Sequence, residues 1–209
     1  MGRENRRRRS GFSMLEITVV LAIISIIAAM GMASLGAMKS RANFTSTVGE
    51  VLNGLRYTRA AALAKGTSTA FIVDTAGNRW WSVEKPPALT LDTFSASAPG
   101  TVLKTGTLPS GITFGPVTGF GSSLPSPLAG IPTLASQSPN FRYCSFCRTS
   151  GTNTGFGMIE FQAGTGAIFN SGPSTLGQQF TLTTTLNGKV RVIAIAIVTR
   201  TGASQSIEK

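Results

Sequence analysis

Residues 17–38 form an uncharged, apolar run of 22 positions, and the polar pattern on its two sides is quite different. As a helix the run rises ~33 Å, enough to cross the hydrocarbon core of a bilayer, so it predicts the membrane-spanning first half of a helix. Behind it the period is helical but one-sided. Phe44, Val48, Val51, Leu52, Leu55 and Leu63 recur near i, i+4, i+7, i+8 and i+11 as a single apolar stripe, and Gly66 supplies the stop. The second half of the helix is therefore expected to lay that stripe on another layer.

From residue 67 on, the pattern becomes that of strands. Residues 67–73 are rich in β-favouring types, Asp74-Thr75-Ala76-Gly77-Asn78 is turn chemistry, and residues 79–83 carry Trp80 and Trp81 into a second strand of a hairpin. Adjacent strand residues face opposite ways, so one tryptophan is expected in the core and the other at the surface, both as packing groups. Over residues 85–155 the periodicity fails, and Pro, Gly, Ser and Thr surround short candidate strands at 101–104 and 112–114. Such an insertion suits partner specificity and a tolerated surface excursion equally. Strand patterns return at 157–161, 167–169, 180–185 and 189–198, the last two flanking Asn187-Gly188, a strong hairpin signal. The expected fold class is α+β, a long N-terminal helix packed on an antiparallel sheet. No internal repeat is present.

Charge orients the chain. Arg6, Arg7, Arg8 and Arg9 precede the apolar run, which by the positive-inside rule keeps the first residues in the cytoplasm and sends the remainder across the membrane. Glu16 is the anomaly, because a carboxylate at the edge of a span costs on the order of 2–3 kcal/mol and persists for a function. An α-amino group created by cleavage between Gly11 and Phe12 would lie one helical turn before it, in its own chain or a neighbour's. A buried ion pair of that kind specifies geometry more reliably than it stabilises. A secretory signal peptide cut near residues 33–37 leaves Glu16 unexplained and has too long an apolar region. A twin-arginine signal lacks its consensus, since the arginines run directly into Ser10-Gly11.

The segment Gly11-Phe12-Ser13-Met14-Leu15-Glu16, followed by Ile17-Thr18-Val19-Val20-Leu21-Ala22-Ile23-Ile24, resembles the prepilin peptidase site of type IV pilins and type II secretion pseudopilins. Ser13 and Met14 depart conservatively from the usual Thr and Leu. Ala33 stands near where many relatives carry a kinking proline, which leaves open whether the helix loosens at Gly31 and Gly36. The resemblance implies cleavage after Gly11, methylation of the Phe12 amine and a role for Glu16 in filament assembly. Further along, 55–62 running into 66–71, then Ile159-Glu160-Phe161 with Gly164, Arg191, and Thr199-Arg200-Thr201-Gly202 are similar to the GspH/FimT-like minor pseudopilins and pilins. The middle insertion has no such counterpart, and the closing glycine–arginine order is altered.

Cys144 and Cys147 admit half of a zinc site, a redox dithiol or a short disulfide. With no other cysteine and no histidine a zinc site would need unusual ligands, and 148–151 reads as loop where a redox motif wants a helix. A structural disulfide pinning a turn is the default in an oxidising compartment. Absence of histidine, and of any nucleophile beside a visible base, argues against an enzyme; no cofactor or metal is expected. Glu160 is expected in a surface-facing salt bridge.

The net charge of +11 includes five leader arginines less Glu4, leaving +7 after cleavage. Lys39, Arg41, Arg56, Arg59 and Lys65 follow the helix, where lipid headgroups and neighbouring subunits account for them. Arg142, Arg148, Arg191 and Arg200 are candidates for a phosphate-attracting patch, as in FimT-like relatives implicated in DNA uptake.

The organisation expected is a leader at 1–11, a transmembrane assembly helix at 12–38, an amphipathic continuation at 39–66 and a periplasmic β-rich domain at 67–209. The chain reads as a minor pseudopilin or pilin of the bacterial inner membrane, a filament subunit of a type II secretion or type IV pilus machine. Its implied partners are prepilin peptidase, other pilin or pseudopilin subunits and the membrane; the alternative is a minor pilin that acts as a DNA receptor in uptake.

Overall fold

The computed structural model describes residues 13–114, 144–148, 150–164, 166–169, 177–186, 188–198 and 201–208; the side chains at 30–35, 37, 207 and 208 fall outside that description. The chain forms two compact units, residues up to Arg41 and residues from Ala42 onward. Helix α1, Met14–Lys65, contributes to both.

In the first unit Ser13 caps the helix. Its hydroxyl accepts the Leu15 N–H at 3.2 Å and its carbonyl accepts the Glu16 N–H at 3.0 Å. Thr18 and Ser25 turn their hydroxyls back to the carbonyls of Leu15 and Leu21, so they add no unmet polar group to an otherwise apolar surface. Ile17, Leu21 and Ile24 on one face and Val19, Ile23 and Ile26 on the opposite face are all about half exposed or more. Among the described residues no helix is long and apolar enough to cross a membrane. The expected span includes positions 30–35 and 37, whose side chains lie outside those residues.

In the second unit α1 buries Phe44, Val48, Val51, Leu55 and Ala62. Leu63 does not belong to this stripe. It is 55% exposed, because the buried line continues through Thr58 and Ala62, one residue before it. Thr58 fits a buried position because its hydroxyl donates to the Gly54 carbonyl at 2.7 Å and pairs with Ser82 Oγ at 2.8 Å, while its own carbonyl accepts from Thr69 Oγ1. The helix stops at Gly66, whose φ of 65° turns the chain where a side chain would strain it.

Nine strands follow, β1 Thr69–Asp74, β2 Arg79–Glu84, β3 Val102–Thr107, β4 Ile112–Phe114, β5 Phe156–Gln162, β6 Gly166–Phe169, β7 Gly177–Leu186, β8 Lys189–Val198 and β9 Ser204–Glu208. They make two antiparallel sheets, ordered β3-β2-β1-β5-β6 and β4-β7-β8-β9, where one sheet was expected. The predicted hairpins are both present, β1–β2 and β7–β8, the second closing at Leu186 and Lys189 around Gly188. The terminal hairpin pairs with β4 and β9, so it forms its own layer. β9, not anticipated, returns along β8 after the reversal at Gly202.

Trp80 and Trp81 do face opposite ways, yet both are buried, at 1% and 6% exposure. Trp80 joins Phe71, Ile159 and Phe161, the helix stripe, and Phe180, Leu182 and Ile195 of the second sheet in one core. Trp81 joins Ile72, Val83 and Met158 on the other face, where Leu91 and Phe94 of the irregular segment cover it. The insertion is thus partly structural: it contributes β3, β4 and this cover.

Cys144 and Cys147 form a disulfide with Cα atoms 5.3 Å apart. Its two ends reach different sheets, Cys144 bridging to Phe180 of β7 and Cys147 to Gly157 of β5. Ser145 adds a backbone bond to the Gln179 carbonyl, and Arg148 one to that of Phe156. A Cβ at Gly157 would meet Cys147 Sγ and the Phe146 ring at 2.7 Å, so glycine is required beneath this strap.

Two glycines of α1 separate the effects of propensity and packing. Alanine at Gly54 would put its Cβ 2.5 Å from the Trp80 ring, whereas at Gly49 it would meet nothing within 4 Å. Helix propensity favours alanine by about 1 kcal/mol at either site, but overpacking costs about 1–3 kcal/mol. Urea titrations followed by tryptophan fluorescence should show Gly49→Ala unchanged or stabilised and Gly54→Ala destabilised. Removing the disulfide as Cys144→Ala with Cys147→Ala should cost on the order of 2 kcal/mol in the loop-entropy account, and reductant should then no longer shift the midpoint.

Candidate functional site

The first turn of α1 concentrates the chemistry. Glu16 follows the Ser13 cap in the first turn, near the positive end of the helix dipole. It lies beside Ile17, Val20 and Leu21 in a shallow surface depression, and it has no cationic partner among the described residues. A carboxylate with no cation of its own, set in a helix whose visible neighbours are apolar, is chemistry suited to a partner from another molecule. Gly11 and Phe12, the expected processing residues, lie outside the described residues.

The basic patch does not assemble in the same way. Arg148 makes a two-point ion pair with Asp92, one arm at 2.9 Å. The hydrogen bond from Arg148 holds Asp92 below the usual carboxylate range, and the bond to Asp92 raises the Arg148 guanidinium in turn. Its charge is therefore matched within the domain. Arg191 lies on β8 opposite Thr184, while Arg142 and Arg200 fall outside the described residues.

Glu160 was expected at the surface, and the structure corrects this: it is 8% exposed. Lys85 Nζ lies 3.0 Å from one carboxylate oxygen, and Gln162 Nε2 donates to the other at 2.8 Å. Burial pushes this carboxyl up, but bonds from Gln162, Lys85 and Ser68 and the charge of Lys85 outweigh it, and the group sits below its ordinary value. The pair lines an open groove of about 890 Å³ that also holds Glu84, itself bound to Lys65. All four charges are matched in pairs, so the groove presents no unmet charge. Pairing was legible only in part from the sequence, because Lys85 and Glu160 are 75 residues apart and meet across the start of β1 through the β1–β2 and β1–β5 registers. The cysteines expected to pin a turn do so, and in addition they join the two sheets.

Residues 6–32 match the family described as the prokaryotic N-terminal methylation motif. Over 75 residues the chain is 33% identical to a type II secretion system protein H from Xanthomonas campestris pv. campestris. That stretch is 36% of this chain and 44% of the relative, so the chain spans under half of the curated relative it matches. No solved structure matches. The first turn of α1 with its lone carboxylate thus lies inside a stretch that matches a prokaryotic N-terminal methylation motif, in a chain similar over part of its length to a type II secretion system protein H.

Proposed function

We propose that this chain is a minor pseudopilin or pilin subunit. It is cleaved after Gly11, methylated on the Phe12 amine, anchored in the bacterial inner membrane by 12–38 and assembled into a filament of the type II secretion or type IV pilus class. The observation that carries this reading is Glu16, a carboxylate without a cation among the described residues, in the first turn of a helix whose opening turns expose apolar residues on opposite faces and lie within a methylation motif. In lipid or in a filament core such a group needs a cation, and a neighbour's Phe12 amine supplies one. The pairing sets the axial register between copies. The four arginines at 6–9 keep the leader on the cytoplasmic side, where a prepilin peptidase would meet it, and place the disulfide-bearing domain in the oxidising periplasm. The DNA-receptor alternative draws no support from Arg148, whose charge is matched by Asp92.

The test uses the full chain in its host membrane. Glu16→Ala should still lose its leader, seen as the mass of 11 residues, and should remain membrane-bound, but its recovery in sheared filaments should fall at least tenfold. Gly11→Glu should retain the leader. Normal incorporation of Glu16→Ala would overturn the assembly role, and release of the wild type by carbonate washing would overturn the anchor.

A further inference from the structure

Arg79, Lys65, Arg148 and Lys85 of the second unit each hold a carboxylate, those of Asp74, Glu84, Asp92 and Glu160. Arg56, Lys104 and Lys189 form no such pair, but they stand exposed to water. Arg59 differs from both groups. Among the described residues of this unit it is the one cation that is partly buried and yet has neither an ion pair nor a hydrogen bond. A guanidinium drawn partly out of water keeps N–H donors that call for an acceptor.

The fold holds Arg59 in that position. Its stem passes Gly202, where a Cβ would come within 3.3 Å of Arg59 Cδ and 3.1 Å of the Phe161 ring. Gly202 also has a φ of 62°, so glycine both turns the chain and makes room for the stem. Arg59 then lines a recess of about 190 Å³ together with Leu63, Gln162, Gly164, Gly166 and Thr201. No acid is among these residues. Thr201 Oγ1 accepts the Ala203 N–H at 3.1 Å, which leaves its hydroxyl proton to donate. Gln162 is fixed by its bond to Glu160, and a Cβ on Gly164 would stand in open space, with nothing within 4 Å. Leu63, 55% exposed, supplies an apolar wall.

We propose that this recess binds a carboxylate, presented by another protein as an acidic side chain. A guanidinium can take a carboxylate with two prongs, Thr201 offers a further donor, and Leu63 covers the methylene stem. Size and charge set the class. The recess is smaller than the ~300–1,000 Å³ of sites for drug-sized ligands and carries one cation, which suits a single monoanion on a short stem. The site needs only the folded second unit, so it stands or falls separately from the filament reading.

Nuclear magnetic resonance of the full chain in detergent micelles, with isotope-labelled arginine, tests this at the Arg59 Nε–H signal, assigned by its loss in Arg59→Lys. A blocked Gly-Glu-Gly peptide should shift that signal to saturation at millimolar concentration, and its Gly-Gln-Gly analogue should leave it in place. Leu63→Ala should weaken the glutamate peptide about threefold through the lost contact with its stem, and leave acetate binding unchanged. Leu63 is exposed, and unaltered fluorescence of the buried Trp80 and Trp81 would show the variant folded. A signal unmoved by the glutamate peptide overturns the proposal, as does an equal shift from the glutamine analogue. Tighter binding of inorganic phosphate than of the glutamate peptide makes this a phosphate site, and acetate binding as tightly as the peptide makes the ligand a small free anion; either result also overturns it.

Discussion

Trp80 sits where two glycines leave room for it. Its register partner on β3 is Gly106 and its neighbour on α1 is Gly54, and a Cβ at either would come within about 2.6 Å of the indole. This clearance lets the helix approach the first sheet closely enough to bury Val51 and Leu55. From the indole an aromatic chain crosses the domain: Phe71 stacks on it at 5.3 Å, Phe180 of the second sheet lies 6.4 Å from Phe71, and Phe146 of the disulfide strap meets Phe180 edge-on at 6.1 Å. Contacts of this kind add about 0.5–1.5 kcal/mol each beyond area burial, so helix, both sheets and strap share one cooperative core.

The strap extends that dependence to the opposite face. Immediately after Cys147, Arg148 holds Asp92, and Asn153 donates to the carbonyls of Leu91 and Phe94 at 2.7 and 2.8 Å. These bonds fix the segment that covers Trp81, whose ring meets Phe94 at 5.5 Å and Phe156 at 6.3 Å. A disulfide spanning three positions constrains the unfolded chain less than one that closes a long loop would. Its larger effect is positional, since Phe146 enters the core between its two ends and Arg148 leaves toward the cover segment.

Periodicity made the helix, both hairpins and the opposed tryptophans legible, because each is a local pattern with a turn residue at its end. It could not show that Trp81 is buried. That burial depends on Leu91 and Phe94, which sit in a Pro- and Thr-rich stretch without a strand or helix period. Leu63 misled for the opposite reason: as an apolar residue near a helical stripe it counted toward the core, yet the small Ala62 and the hydrogen-bonded Thr58 hold those places. The split into two sheets was not legible because strand partners 72 residues apart, such as Ile112 and Thr184, leave no mark in local sequence. At the candidate site Glu16 was readable, since one charge against an apolar run is a local contrast. The fate of Arg148 and Glu160 was not, because Asp92 and Lys85 reach them only through the fold.

The distribution of paired and unpaired charge separates what the domain does for itself from what it leaves to others. Exposed ion pairs such as Lys65 with Glu84 contribute about 0–1 kcal/mol, so matching them does little for stability. What matching does is remove isolated charge from the domain surface, which keeps wrong partners from competing there. Glu16 is subject to the opposite condition. Around it lie Ile17, Val20 and Leu21, and once those are covered by lipid or protein the effective dielectric falls and an unmet carboxylate becomes costly by several kcal/mol. The same residue type is thus nearly neutral at exposed Glu84 and costly where its surroundings are apolar and covered, and the difference is set by how much water remains beside it.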